Sequence, residues 1–462
     1  MKLVYGVKDK PKFGQTLVFA LQQLLAILAA TIAVPAIVGN GMSSSAALFG
    51  AGVGTIVYLL FTKFRSPVFL GSSFAFIGSM LSAFAGAAST SLGYAGLIIG
   101  AVFAGLVYVV LAIIVKIAGV KWINKLMPAV VIGPTVSIIG LSLAGNAVGD
   151  LQKGNVTHMV GETAVQNASV YLCILCGLVT LATVIICSVF GKKMAKMIPF
   201  IIGIVAGYGL AAIFTVIGNI TDTAALQIIN FSAFKNMQWY PDFTFVEAFK
   251  GVKEINGAYI ASIAVAYVPV ALVVFAEHIA DHKNLSSVIE HDLLEDPGLS
   301  RTLLGDGVGS MAGAIFGGCP NTTYGESVGC VAISGNASVV TILTTAIMAI
   351  VASFFAPFVT FLSTIPSCVM GGVCIALYGF IAVSGLKMLQ PVDLNDNRNL
   401  FVASTILITG IGGLSLTFGK VTITTIACAL ILGILVNLLT NSKRESEPCE
   451  DLVEEEPKCS KK

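Results

Sequence analysis

Long apolar runs, separated by short breaks of glycine, proline or charged residues, follow one another along almost the whole chain. Many of these runs have about 20 residues, the length that crosses the hydrocarbon core of a bilayer as a helix. The pattern predicts fourteen membrane spans. Their expected limits are 15–38, 46–62, 67–85, 93–117, 127–147, 169–190, 197–217, 257–282, 300–318, 322–335, 338–362, 367–387, 400–416 and 421–440. The third and tenth are the weakest helices, because they are short and rich in Gly, Ser and Thr.

The composition favours a membrane protein over a soluble one. Of the 462 residues, 56% are hydrophobic and 11% are charged, whereas soluble chains carry about 25% charged residues. A net charge of +2 argues against nucleic acid as a partner. The sequence contains no P-loop, G-x-S-x-G or H-E-x-x-H motif, and its four histidines form no metal-binding pattern. We therefore expect an all-α polytopic membrane protein that is not an enzyme and uses no metal.

Basic residues in the breaks predict the orientation in the membrane. With the N-terminus in the cytoplasm, 21 of the 26 Lys and Arg residues fall in cytoplasmic breaks and tails, and 5 fall outside. Loops rich in Lys and Arg stay in the cytoplasm. We therefore expect an even number of spans, with both termini cytoplasmic.

The fourteen predicted spans divide into two halves of seven with the same pattern. Each half has a glycine-rich third segment, Gly-Ser-Ser-Phe-Ala-Phe at 71–76 and Pro-Asn-Thr-Thr-Tyr-Gly-Glu at 320–326. Because seven is odd, the second half enters the membrane from the opposite side, as in an inverted repeat. Paired interrupted segments of this kind indicate a binding site near the middle of the membrane. Two glycine-rich helices in close packing are the alternative.

Four of the 24 acidic residues fall within or beside predicted spans. They are Glu277, Asp281, Asp306 and Glu326. A carboxylate in hydrocarbon costs several kcal/mol, so each of the four is a candidate for function. No Lys or Arg lies deep in a predicted span to pair with them. A carboxyl group that takes up and releases a proton suits proton coupling, and the expected coupling ion is the proton.

Glu277 has two interpretations. The run 257–276 is already 20 uncharged residues long, so the helix could end there and leave Glu277 at the cytoplasmic interface. A role in binding requires the helix to continue. Asp281, four residues later, then lies on the same face. Pro269 is expected to bend this helix.

Three further polar features keep alternatives open. His278 lies about 100° round the helix from Glu277, and with His282 it forms either a proton relay or an interfacial contact. Asp306, in Gly-Asp-Gly, either braces a helix contact or meets the substrate. Cys173 and Cys176 form a C-x-x-C motif in an apolar run, which favours packing over a metal or redox role.

Several strings resemble the signatures of a known family. They are 276–279 (Ala-Glu-His-Ile), 292–299 (Asp-Leu-Leu-Glu-Asp-Pro-Gly-Leu), 320–326, 71–77, 370–373 (Met-Gly-Gly-Val) and 377–379 (Leu-Tyr-Gly). From about residue 5 to 440 the chain resembles the nucleobase–cation symporter-2 family of nucleobase/ascorbate transporters, and within it the bacterial uracil permeases.

The resemblance implies two interleaved, inverted repeats of seven segments, with a short strand in the third and in the tenth. The implied regions are a cytoplasmic N-terminus (1–14), a core domain (15–118 and 257–365), a gate domain (119–218 and 366–440) and a cytoplasmic acidic tail (441–462). The substrate is expected between the two strands and the eighth span. A homodimer through the gate domain is also implied.

The resemblance assigns roles to single residues. Substrate binding falls to Glu277 and Glu326 through their carboxylates, to Phe74 and Gly325 through backbone N–H groups, and to Ala30, Tyr324 and Tyr378 as pocket walls. The expected proton-coupling residues are Glu277, Asp281 and His278, and Asp306, Gln23 and Ser327 are expected to support the site. Uracil presents two N–H donors and two carbonyl acceptors, which this set of groups can satisfy.

The sequence departs from the family in four places. Gln22-Gln23 stands where many members have Gln-His, and Asp281 stands where some have a histidine. Ser327 stands where Asn is usual, and Ser334 stands where Thr is usual. The proton is therefore expected on Asp281, Glu277 or both, with linked titrations.

The implied function is proton-coupled import of uracil across a bacterial cytoplasmic membrane by alternating access. One alternative is a permease for xanthine, urate or another base. A second is a facilitator without proton coupling. A third, sulfate or bicarbonate exchange, is disfavoured because carboxylates in the site would repel an anion.

Overall fold

The computed structural model describes residues 3–119, 122, 126–160, 163–192, 194–235, 237, 239–418 and 421–441. The acidic tail predicted at 441–462 lies, apart from Asn441, outside these residues. The described chain is mainly helical. Its α-helices are α1 (Phe13–Val38), α2 (Ser44–Phe61), α3 (Ile77–Ala85), α4 (Thr90–Ala118), α5 (Ala129–Ser142), α6 (Ala144–Asp150), α7 (Val170–Phe190), α8 (Met194–Met197), α9 (Pro199–Ile220), α10 (Thr244–Gly251), α11 (Gly257–Ile289), α12 (Leu299–Gly317), α13 (Gly325–Ser334), α14 (Val339–Ala352), α15 (Ala356–Thr364), α16 (Ser367–Lys387), α17 (Asn397–Ile411) and α18 (Thr425–Asn441).

Within the described residues, six short strands form three antiparallel pairs. The strands are β1 (Leu70–Ser72), β2 (Thr157–Val160), β3 (Thr163–Gln166), β4 (Asn321–Thr323), β5 (Leu416–Phe418) and β6 (Val421–Ile423). The pairs β2–β3 and β5–β6 join neighbours in sequence. The pair β1–β4 instead joins segments about 250 residues apart, with Gly71 opposite Thr322.

Eight of the described helices are long and apolar enough to cross a membrane. They are Phe13–Val38, Ser44–Phe61, Thr90–Ala118, Ala129–Asp150 (α5 and α6 taken together), Val170–Phe190, Pro199–Ile220, Gly257–Ile289 and Ser367–Lys387. The mostly helical membrane architecture is therefore as predicted. Fewer segments pass this test than the fourteen predicted spans, because several of the others are short, interrupted or less apolar. In α12, for example, Arg301 and Asp306 interrupt the apolar residues.

The segment predicted as one span at 338–362 is bent. α14 ends at Ala352, and α15 begins at Ala356 with its axis turned by 83°. Pro357 stands in the first turn of α15, where its missing N–H group costs no helical hydrogen bond. The apolar composition continues across the bend, so hydropathy alone predicted a single helix.

The helices pack in two groups. The first contains α1–α4 and α11–α14, in which α12 packs against α2 and α4 and α14 packs against α1 and α2. The second contains α5, α7, α9 and α16–α18, in which α16 packs against α5 and α7. α1 and α11 have contacts with both groups. The surface between the groups is where the candidate site lies.

Close packing within the first group depends on glycine. A Cβ at Gly54 of α2 would lie 2.7 Å from the carbonyl oxygen of Gly309 in α12, and a Cβ at Gly309 would lie 2.7 Å from the carbonyl oxygen of Gly54. In lipid the hydrophobic effect does not drive helices together, so they associate through close van der Waals packing. Small residues allow the two backbones to approach closely enough for it. This packing holds α12 firmly against α2.

Polar contacts tie the connecting segments together on one side of the bundle. Residues 4 and 5 donate to the carbonyl oxygen of Gly335 at 2.8 and 3.1 Å, so the N-terminal segment pairs with the α13–α14 connection. Arg65 donates to Asp296 at 2.5 Å. Hydrogen bonding to Arg65 lowers the pKa of the exposed Asp296 carboxyl group.

A second set of contacts ties other connections together. Ser89 donates to Glu254 at 2.7 Å. Asn155 donates to the carbonyl oxygen of Ile365 and accepts from the backbone of Ser367, each at 3.1 Å. Counted along the fourteen predicted spans, every connection of the first set follows an even number of spans, and every connection of the second set follows an odd number.

Candidate functional site

The two short strands β1 and β4 form an antiparallel pair inside the protein, which we name the strand crossing, and each leads into a helix. β1 is followed by Phe74 and α3, and β4 is followed by Tyr324 and α13. Thr55 of α2 accepts from Leu70 N at 2.9 Å, and Asn321 donates to the carbonyl oxygen of Gly50 at 3.0 Å. Backbone that is not helical is tolerated at membrane depth only where protein or a cavity surrounds it. Both strands meet this condition, since all their residues are buried.

Gly71 lets the two strands approach. A Cβ at this position would overlap the ring of Tyr324. That ring lies across β1, and the Tyr324 hydroxyl donates to the carbonyl oxygen of Ser72 at 2.8 Å. A glycine is therefore needed for the ring to reach its position at the crossing.

Two of the departures from the family pattern are partners of each other. The side-chain nitrogen of Gln23 donates to Ser327 Oγ at 2.5 Å. The same oxygen accepts from Phe69 N at 3.1 Å. Gln23 and Ser327, both predicted to support the site, thus join α1, α13 and the start of β1. The sequence assigned the two positions separately, and nothing in it indicated that they touch.

α11 continues for twelve residues past Glu277 and ends at Ile289. Glu277, Ala280, Asp281 and Asn284 all line one cavity, as residues spaced by three and four on a helix should. Glu277 is therefore not at the end of a helix. Asp281 Oδ2 accepts from Thr323 Oγ at 2.9 Å, which connects α11 to β4.

The cavity lies between the two helix groups and has a volume of about 420 Å³. From the first group it is lined by Ala26, Phe74, Glu277, Ala280, Asp281, Asn284, Thr322, Thr323, Tyr324, Gly325, Glu326, Val328, Gly329, Cys330 and Ile333. From the second group, and from the connection between α7 and α9, it is lined by Val136, Ser188, Lys196, Pro199, Phe200, Phe380, Ile381 and Ser384. The carboxyl groups of Glu277, Asp281 and Glu326 thus line the cavity together with aromatic and small side chains.

Two predicted wall residues lie outside this lining. Ala30 is fully buried in α1, and Ala26, one helical turn earlier, lines the cavity instead. Tyr378 is buried and packs edge-on against Phe74, with ring centroids 5.7 Å apart. Ile381, one turn later on the same helix, reaches the cavity.

His278 and Asp306 face each other away from the cavity. His278 Nδ1 lies 2.7 Å from Asp306 Oδ2, and its Nε2 lies 3.0 Å from Thr302 Oγ. Both side chains are almost fully buried. The ring of His282 stacks on that of His278 at 4.0 Å and is 2.7 Å from the Tyr58 hydroxyl. This buried polar cluster joins α11 to α12 and α2.

Sequence reasoning missed several lining residues. Thr322 and Thr323 belong to a string that was singled out, but only its Tyr, Gly and Glu received roles. Asn284 follows Glu277 by two helical turns, a spacing that could have identified it. Nothing in the sequence marked Lys196 as a cavity residue, because connections rich in lysine are common at the cytoplasmic ends of spans.

The arrangement suits a small, flat, polar ligand. Carboxylates accept hydrogen bonds, threonine hydroxyls donate or accept, and Phe74 and Tyr324 offer aromatic surface. Within the described part of the chain, no three or more His, Cys, Asp or Glu side chains are arranged to hold a metal ion.

Comparison with known sequences gives consistent matches over almost the whole chain. A model of the permease family (Xan_ur_permease) matches residues 14–419. The uracil permease of Bacillus caldolyticus is 40% identical over 459 residues, covering 98% of each chain. The uracil permease of Escherichia coli K12 is 33% identical over 436 residues, covering 94% of this chain and 93% of that one.

Solved structures share the fold at low sequence identity. The transmembrane domain of the cyanobacterial bicarbonate transporter BicA matches with a TM-score of 0.61 at 16% identity, over 94% of this chain and 98% of that one. Murine Slc26a9, an anion transporter in the inward-facing state, matches with a TM-score of 0.63 at 11% identity, over 94% and 69%. At such identities the likeness concerns the fold alone.

Proposed function

The chain belongs to the permease family whose model spans residues 14–419, and from that premise we propose that it imports uracil across the bacterial cytoplasmic membrane as a proton-coupled symporter. Relatives named uracil permeases, 33–40% identical over most of their length, support uracil as the substrate. The observation that carries the proposal is the cavity in which Glu277, Asp281 and Glu326 meet Phe74 and Tyr324 beside the crossing of β1 and β4.

Uracil fits the groups that line this cavity. Its two N–H groups would donate to the carboxylates of Glu277 and Glu326, and its carbonyl oxygens would accept from the backbone N–H groups of Phe74 and Gly325. Tyr324 would cover the ring. A buried polar group left without a partner costs about 1–3 kcal/mol, so a ligand lacking these donors would bind less well.

We further propose fourteen membrane segments in two inverted repeats, with both termini cytoplasmic. The two sets of contacting connections support this architecture, because one set follows even numbers of predicted spans and the other odd numbers, and connections on one side of a membrane can touch only each other. The first helix group would be the core domain and the second the gate domain. Dimerisation through the gate domain is proposed from the family resemblance.

The cavity would open to the cytoplasm in this conformation. Lys196, Asn284 and Ser384 line it and lie towards the ends of their segments that are predicted to be cytoplasmic. Movement of the core domain against the gate domain would then open the site to the other side. The site at the interface of the two groups suits such alternating access.

Asp281 and Glu277 are the proposed proton carriers. Both line the cavity on one face of α11, and Asp281 also contacts Thr323 of the substrate-side strand. Protonation would accompany loading from outside, and deprotonation would accompany release inside. His278 contacts Asp306 rather than the cavity, so its proposed part in coupling would act through α11.

Anion exchange is a poorer proposal, although a bicarbonate transporter shares the fold. Three carboxyl groups in one cavity would repel an anion. Fold does not determine function, because sites are built from individual side chains.

Competition binding tests the choice of substrate. The purified protein in detergent is titrated with labelled uracil in the presence of xanthine, urate, thymine, cytosine or bicarbonate. Displacement by unlabelled uracil at the lowest concentration of the panel is expected. Preferential displacement by xanthine or urate would replace uracil in the proposal with a purine.

A further inference from the structure

One positive charge shares the cavity with the three carboxyl groups. Among the described residues that line the cavity, Lys196 is the only one with a cationic side chain. It is exposed and makes no ion pair with Glu277, Asp281 or Glu326 in this conformation. The charge therefore stands at the open mouth of the cavity, on the gate-domain side.

Lys196 is carried by an element that lies between the two helix groups. The short helix α8 connects α7 to α9 and touches α1 and α13 of the first group. Within the described parts of α1, α7, α9 and α13, the four helices around α8, Glu326 is the only residue with a charged side chain. Lys192 lies in the same connection but does not line the cavity. A closing movement of α8 towards α13 would bring Lys196 nearer to Glu326.

The transport cycle contains one step that needs such a charge. After uracil and the proton leave on the inner side, the empty site holds carboxylates in a cavity that is open to water. Closing the inner side removes that water, and burying unpaired charges is costly. A cation that enters with the closing element offsets this cost, because attraction between opposite charges grows as water leaves.

We propose that Lys196 is the counter-charge that allows the empty, deprotonated carrier to close its inner side and return for another uracil. The proposal rests on the proton-coupled uracil transport proposed above. Lys196 acts little on the loaded carrier, whose carboxyl groups are engaged by substrate and proton. It therefore favours the return of the carrier when the site is empty.

The proposal separates two transport assays. Net uptake into empty proteoliposomes needs the return of the empty carrier. Exchange, in which vesicles preloaded with unlabelled uracil take up labelled uracil, needs only loaded carriers. Lys196→Gln is expected to slow net uptake at least about tenfold and to leave exchange within about twofold of the unaltered protein. Lys196→Arg keeps the charge and is expected to retain net uptake.

Lys192→Gln is the matched control, because it removes a neighbouring positive charge outside the cavity and is expected to change neither rate. Equal loss of net uptake and exchange in both Lys196→Gln and Lys196→Met would overturn the proposal, and so would unchanged net uptake. If the unaltered protein accumulates uracil and Lys196→Gln does so equally well, this inference alone fails. If the unaltered protein moves no uracil in either assay, the proposed function fails first.

Discussion

Glu326 lies in the first turn of α13, half-buried in the wall of the cavity and directly after the crossing strand β4. Replacing it with Gln keeps the shape but exchanges a charged acceptor for a neutral amide. A hydrogen bond to a charged group contributes about 1.5–3 kcal/mol. We therefore expect Glu326→Gln to weaken uracil binding by about ten- to a hundredfold, measured by calorimetry in detergent.

The control for this prediction is Glu254→Gln. Glu254 lies in a connection, where it accepts from Ser89, and does not line the cavity. Its replacement is expected to leave the affinity unchanged. Wild-type affinity in Glu326→Gln would remove this carboxylate from the binding site.

Asp281→Asn tests the proton carrier. The amide oxygen of Asn can still accept from Thr323, so the link between α11 and β4 is kept while the titratable group is lost. Uracil is expected to equilibrate across the membrane of proteoliposomes but not to accumulate against its gradient. The exposed Asp222→Asn is the control. Gradient-driven accumulation in Asp281→Asn would leave Glu277 as the proposed carrier.

Some contacts between single residues can be predicted from their spacing in the sequence, and others cannot. Glu277 and Asp281 could be placed on one face because a helix brings residues four apart together. The contact between Gln23 and Ser327 joins positions 304 apart, and no local pattern specifies it. Tyr378 was predicted to line the cavity, but Ile381 lines it instead. The rotation of α16 about its axis depends on packing with its neighbours, which the sequence does not show.

The crossing of β1 and β4 is the element on which the site depends. Gly71→Ala would place a methyl group in the ring of Tyr324. Overpacking of a filled interior costs about 1–3 kcal/mol. We expect a lower unfolding temperature in detergent together with weaker uracil binding.

Gly209→Ala in α9 is the control for this prediction. A Cβ at Gly209 would meet no atom within 4 Å, and Ala is favoured over Gly within a helix. The control is expected to be as stable as the unaltered protein or more so. Equal stability of Gly71→Ala and the unaltered protein would contradict the account of the crossing.

Interrupted elements could be recognised in sequence where composition marks them. The glycine and serine residues at 71–73 and the Pro-Asn-Thr-Thr string at 320–323 indicated breaks, and strands lie at both. The bend between α14 and α15 was missed because apolar residues continue through it. The length of α11 was left open, since hydropathy ends before the helix does.

For the whole molecule, the repeated order of segments indicated a membrane transporter before any contact was known. The order of segments does not indicate which conformation of the transport cycle the protein adopts. Which side of the cavity is open depends on how the two helix groups lie against each other, and no local pattern in the sequence specifies that. The position of Lys196 at the cavity mouth is a consequence of the same arrangement.

The most direct test of the central claim is uptake of labelled uracil into proteoliposomes with acid outside, with and without a protonophore. The account predicts accumulation above the external concentration, and collapse of that accumulation when the protonophore is added. Equilibration without accumulation, unaffected by the protonophore, would contradict proton coupling and favour a facilitator.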